Sequence, residues 1–313
     1  MIDRLTGLKA RSGSMADYIE TLPGYNESRQ LQKVHGDVKG CASWLVIHDY
    51  YQIQQRRLVG AQTCKKHLLC PFCAVGRGSR MMAKAMPKLE HVVETRPNLI
   101  PVHIVLTVKN RDELRPVAHH CLSSLRKLIQ RRRDGIKGTI TSEAAKVAGA
   151  LYSVETTHDE ETGWHPHVHM LAFLEDYIDQ EALSREWHHI TGDSYIVHVE
   201  RVKSHREGRN HVTLVDALSE VAKYAVKLSG LPEADAWEAY QVFTRKRLVG
   251  TLGCLRGIPL TDEVLDDPIE AEPYVRLLYR WTGRNYHMDT DQILTVANPL
   301  SRSDRETDPA PTG

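Results

Sequence analysis

Apolar and polar positions along this chain follow two periods, and the changes between them mark its elements. Val102 to Val108 is a short, β-branched apolar run of the kind that forms a buried strand. Asp112 to Arg133 then repeats apolar residues at helical spacing, with Leu122, Leu125, Leu128 and Ile129 on one side. Pro116 falls in the first turn of that helix, where its missing N–H is tolerated. Ala150 to Thr157 and Pro166 to Leu174 read as the strands of a hairpin, joined by the polar segment His158 to Trp164 with Gly163 near its end. Asp179 to Ile190 reads as a helix closed by Gly192, Tyr195 to Val202 as a strand, and Val215 to Leu228 as a helix stopping before Gly230 and Pro232.

The resulting order, β-α-β-β-α-β-α, predicts an α+β fold: a ferredoxin- or RRM-like antiparallel sheet with helices on one face. The pattern divides the chain into four parts. Residues 1–40 are polar, carry Gly and Ser punctuation and are expected to be loosely ordered. Residues 41–95 are rich in Cys and basic residues and are expected to contact DNA. The alternating elements fill residues 96–260. Residues 261–313 form an acidic segment and a C-terminal extension whose tail, from Asn298, has the composition of a disordered chain.

Composition changes this picture in two respects. No apolar run is long enough to span a bilayer and the first residues do not read as a secretory signal, so a cytoplasmic protein is expected, with no membrane partner. The formal net charge of +1 conceals a segregation: Arg56 to Lys88 holds eight Lys or Arg and no acid, and Arg126 to Lys137 holds six against Asp134 alone. Thr261 to Pro273 has six acids and no base. An acid-free basic stretch suits a surface that follows a phosphate backbone, and Arg77, Arg80, Lys84, Arg131, Arg132 and Arg133 are the candidate DNA contacts.

Two clusters carry chemistry. In His165-Pro166-His167-Val168-His169, alternate side chains share a face, so His167 and His169 can grip one divalent ion, and hairpin pairing could bring Glu155 beside them. Two imidazoles and a carboxylate leave open positions for a substrate oxygen, and Mg²⁺ or Mn²⁺ would suit a phosphodiester. On the last helix, Glu220 and Tyr224 are one turn apart, with Lys227 a turn beyond, which groups a base, a nucleophile and a cation. Further upstream, Cys70-Pro71-Phe72-Cys73 has zinc-knuckle spacing, with Cys64 and His67 close enough to complete a structural Zn²⁺ site.

Taken together, the His-x-His strand and Glu220-x-x-x-Tyr224 resemble the HUH endonuclease superfamily, and within it the single-tyrosine rolling-circle initiators of bacterial plasmids. Ile104 to Val108 resembles that family's first motif, and Lys66 to Cys73 resembles its N-terminal Cys-containing region. The resemblance covers about residues 40–260 and makes residues 96–260 the nuclease domain. It implies a site-specific endonuclease in which Tyr224 attacks a phosphodiester at the plasmid origin, single-stranded or in a cruciform. The products would be a 5′-phosphotyrosine and a 3′-hydroxyl primer, with Glu220 activating water to end the cycle. Because no Gly-x-x-x-x-Gly-Lys-Ser/Thr motif occurs, a host helicase is implied alongside a host polymerase. A mobilisation relaxase or single-tyrosine transposase would use the same chemistry. A non-catalytic zinc-containing DNA-binding regulator would need the basic segments but not His167, His169 and Tyr224 together.

Overall fold

Helical spacing of Met15, Ala16 and Ile19 gives α1 (Ile2–Glu20) one buried side despite its glycines. A computed structural model describes residues 1–202, 213–270 and 272–296. These divide into two compact units, one built from residues 1–64 together with the described residues from 265 onward, the other from residues 65–264.

The first unit begins with α1 and α2 (Arg29–Gly40), and Ser28 caps α2 by accepting a hydrogen bond from the Leu31 amide. Lys9 reaches across from α1 to donate to the carbonyls of Lys39 and Cys41. The expectation that residues 1–40 are loosely ordered is thus corrected: their few apolar residues are spaced to pack one helix on the other. The strands β1 (Trp44–Tyr50) and β2 (Gln55–Ala61) follow as an antiparallel pair.

The second unit opens with α3 (Pro71–Thr95), whose Pro71 occupies the first helical turn. Then come β3 (Ile100–Thr107), α4 (Leu114–Ile136), β4 (Val147–Asp159), β5 (Gly163–Leu174), α5 (Gln180–Thr191), β6 (Val197–Arg201), α6 (Leu214–Ala222), α7 (Tyr224–Leu228), α8 (Glu233–Phe243) and β7 (Val249–Gly253). Its strands lie in the order β6-β3-β5-β4-β7, every neighbouring pair antiparallel. The ferredoxin-like arrangement read from the sequence is therefore present, extended by β7 at one edge. Asp179 caps α5 through the amides of Glu181 and Ala182, and Gly192 ends it in the left-handed region at φ 80°. The β4–β5 turn is held by Asp159, which accepts from the amides of Glu161 and Thr162. Gly163 is required there, because at φ +79° a Cβ would stand 2.6 Å from the Arg111 carbonyl oxygen.

Alternation along the strands assigns a face to each helix. Ile104, Leu106, Met170 and Val147 meet Leu128, Ile129 and Leu183, so α4 and α5 cover one face as expected. The helices α6 and α7 pack against β4 and β5, and Lys227 meets Glu155 on the other face, which carries the histidines. In place of the one long helix expected over Val215 to Leu228, two short ones meet at Lys223.

The chain then returns to the first unit with β8 (Tyr274–Trp281), β9 (Tyr286–Met288) and β10 (Leu294–Val296). This completes a sheet in the order β10-β8-β1-β2 with β9 on β8. Part of the expected C-terminal extension is therefore sheet, and part of the expected Cys-rich segment pairs with it. The tail expected to be disordered from Asn298 lies outside the described residues. Among the described residues no helix is long and apolar enough to cross a membrane.

His48 of β1 is buried with its ring stacked on Tyr274 at 3.8 Å and beside Tyr50, and burial, then Arg276, lowers its pKa to about 4. In the unfolded chain the same imidazole takes its proton near 6.5. Between those values the unfolded state binds the extra proton, so this unit should lose stability steadily as the pH falls from 6.5 to 4. Thermal unfolding across that range checks the effect, and His48→Phe should flatten the slope while keeping the stack.

Candidate metal and nucleophile site

The pairing of β4 with β5 sets Glu155 directly opposite His167, with His169 two residues along the same face. The ligand atoms of Glu155, His167 and His169 lie within 4.8 Å of one another. Glu155 Oε1 is 2.6 Å from His167 Nε2 and 3.0 Å from His169 Nε2, and its side chain is fully buried. Burial by itself would raise this carboxyl, but the hydrogen bonds and charges of His167 and His169 outweigh it and hold it well below the usual carboxylate range.

Each imidazole is oriented from its far side. His167 Nδ1 donates to the His165 carbonyl oxygen at 3.1 Å, which leaves Nε2 as the nitrogen turned to Glu155. His169 Nδ1 lies 3.1 Å from Nε2 of His103 on β3, the two rings being parallel. Burial first, then the neighbouring His169, pushes His103 down to about 4, so it is neutral near pH 7 and can accept from His169. Sequence reasoning missed His103, which reads as one more residue of an apolar strand. His165 is held by Asn110, and His158 pairs with Asp235 at 2.8 Å.

The second oxygen of Glu155, Oε2, is buried and has no hydrogen-bond partner among the described residues. A buried anionic oxygen left unmatched is costly, and a divalent ion would satisfy it. The donor set of two imidazole nitrogens and a carboxylate fits such an ion.

From above, α7 brings Lys227 Nζ onto Glu155 Oε1 and to 3.6 Å from Glu220 Oε2. Glu220 also pairs with Lys223 at 2.7 Å. Burial opposes its ionisation, but Lys223 and Lys227 outweigh that and lower its pKa. Lys227 thus links Glu155 to Glu220, but the expected grouping of Glu220, Tyr224 and Lys227 on one helix does not form, because the helix breaks at Lys223. Tyr224 faces elsewhere: it is 2% exposed, its ring 6.2 Å from that of His67 and 5.3 Å beneath the Arg77 guanidinium. A cavity of about 290 Å³ lined by Arg77, Tyr224, Phe243 and the loop Arg245 to Arg247 opens beside it.

Of the residues expected to hold zinc, His67 is the one packed on Tyr224; burial, then Arg77, lowers its pKa to about 4. In the second unit, Cys70 precedes α3 and Cys73 lies in its first turn, with sulfurs within 4.8 Å of each other. In the first unit, Cys64 makes the same approach to Cys41, a residue the spacing did not single out. Ala42 donates to the Gln62 carbonyl at 2.6 Å, which draws those two stretches of chain together.

The arginines expected at DNA are mostly engaged within the fold. Arg77 pairs with Asp262 at 2.9 Å, Arg80 is buried against Glu263 at 3.2 Å, and Lys84 is half-buried. Arg131 pairs with Glu186 at 2.6 Å, and buried Arg132 donates to the carbonyls of Val147 and Ala148. Arg133 is exposed.

An antiparallel ferredoxin-like sheet that carries a His-x-His pair faced by a carboxylate, with Lys227 and Glu220 packed over the same face, fits the HUH class. The family described as "Replication protein" matches residues 55–274, and the chain belongs to it, among the plasmid Rep proteins of the HUH superfamily. It is similar to "Protein rep" of Streptococcus pneumoniae serotype 2 (strain D39 / NCTC 7466), 28% identical over 219 residues that cover 64% of this chain and 64% of the relative. It is also similar to "Protein rep" of Lentilactobacillus hilgardii, 27% identical over 199 residues, 59% of this chain and 60% of the relative. The chain therefore matches less than two thirds of the length of either relative. No solved structure matches.

Proposed function

We propose that the chain initiates rolling-circle replication by nicking one strand at a plasmid origin. The observation that carries this reading is the fully buried Glu155 carboxylate, gripped by His167 and His169 and keeping one oxygen unmatched. Mg²⁺ or Mn²⁺ held by these three residues would polarise the scissile phosphate as a Lewis acid.

The remaining steps belong to the side chains. Tyr224 Oη attacks phosphorus, its proton passes to a base, and the 3′-oxygen leaves with a proton as a free hydroxyl. The 5′-phosphate stays on the phenol. Lys227 supplies positive charge beside the phenolate, and Glu220 takes the proton of the water that later ends the cycle. Because Tyr224 is set between His67 and Arg77, its phenol must turn toward the imidazoles when DNA is bound. The 3′-hydroxyl then primes a host polymerase, with a host helicase opening the duplex. Cys41 and Cys64, and Cys70 and Cys73, act as zinc ligands in support of the fold.

Incubation of supercoiled plasmid carrying the origin with Mn²⁺ tests this: open circles with protein covalently attached are expected. DNA binding without cleavage under either ion would instead favour a regulator. For the zinc, protein purified without chelator should contain the metal, and Cys70→Ser should lose it and melt at a lower temperature. A metal-free parent as stable as the variant would remove zinc from the account.

A further inference from the structure

On the face of the second unit's sheet opposite Glu155, α4, β7 and the loops beside β7 enclose a groove of about 630 Å³. Leu122, Leu125 and Leu252 give it an apolar floor. Arg126, Arg133, Arg245, Lys246, Arg247 and Arg256 line it as well, all exposed, and among the described residues no carboxylate does. Among the described residues none of these six forms an ion pair.

Elsewhere the unit treats its arginines differently, since Arg77, Arg80 and Arg131 are each matched to a carboxylate. Positive charge concentrated without counter-charge repels itself. Arg132 at the wall of the groove registers this, its pKa lowered by burial first and then by Arg256 and Arg133. Such a cluster is stabilised by a polyanion. Five of the six cations are arginine, whose planar fork suits phosphate oxygens.

The loop Arg245 to Arg247 also lines the cavity beside Tyr224 on the opposite face. Positive charge therefore continues around the edge strand β7 from one face of the sheet to the other.

We infer that the groove is a second DNA-binding surface, which holds the sugar-phosphate backbone of DNA that has passed around the β7 edge. Only the direction of that path rests on the nicking reading; the groove itself is argued from its own lining. Interactions of this kind are made to phosphates and are indifferent to sequence.

The test is a variant combining Arg126→Gln, Arg133→Gln and Arg256→Gln, three exposed positions that line the groove but not the cavity beside Tyr224. Binding is measured on a linear duplex of arbitrary sequence and on an oligo-dT single strand, across a range of salt. Affinity for at least one probe should fall tenfold or more, and which probe responds tells whether the groove holds duplex or single strand. The dependence of log K on log salt should become shallower by about 0.7 to 0.9 for each phosphate that the substituted side chains no longer neutralise. The matching Arg→Lys variant should recover most of the affinity, which a purely structural defect would not allow. Parental affinity and salt slope on both probes, in a variant that folds, would overturn the inference. A chain that never nicks but loses affinity in the variant would sink the nicking reading and leave this one standing. Nicking with unchanged binding would do the reverse.

Discussion

Tyr224→Phe should bind origin DNA as the parent does and leave no protein attached to it. Phenylalanine keeps the ring between His67 and Arg77, so folding stability should stay within about 1 kcal/mol, the typical net worth of one hydrogen bond. What disappears is the oxygen that would carry the 5′-phosphate, and nicked circles should fall below detection on denaturing gels. Glu220→Ala makes the complementary case: if Glu220 is the base for water, the first cleavage should persist while joined or multimeric strands accumulate. A Tyr224→Phe protein that still forms the covalent adduct would mean that another residue is the nucleophile.

Glu155→Gln should be nearly as damaging by a different route. The substitution keeps the shape of the side chain and removes the anion shared by His167, His169 and Lys227. A Lewis-acid ion contributes several kcal/mol to a phosphoryl-type transition state, so its loss should slow nicking by about a thousandfold or more. Without that carboxylate the charge-assisted hydrogen bonds also go, and stability should drop by roughly 1–3 kcal/mol. Cleavage rate against Mn²⁺ concentration measures the first effect and thermal unfolding the second. Parental cleavage by Glu155→Gln in the presence of a chelator would remove the ion from the mechanism.

The triad was legible because its information is local. A period of two on β5 puts His167 and His169 on one face, and a hairpin fixes which residue of β4 stands opposite. The ends of α5 were legible for the same reason, Asp179 and Gly192 acting within one turn. The rest depends on partners far along the chain. Arg77 and Arg80 read as a surface for phosphate until Asp262 and Glu263, 185 and 183 residues later, fold against them. His103 became visible only when β3 was laid beside β5. The helix α3 was hidden by Pro71, Gly76, Gly78 and Pro87, which suggest interruptions. Gly78 instead permits a close approach, since a Cβ there would stand 3.1 Å from the Ala222 carbonyl oxygen.

The first unit's sheet has a further implication for how the polypeptide matures. Its central strands, β1 and β8, lie on either side of the whole 65–264 stretch, so a nascent chain leaving the ribosome presents β1 and β2 long before β8 exists. Until then one edge of β1 has no neighbour from its own sheet, and an unpaired edge invites association with other chains. The second unit, by contrast, has all its described strands once residue 253 has emerged, and should reach its native state first during translation.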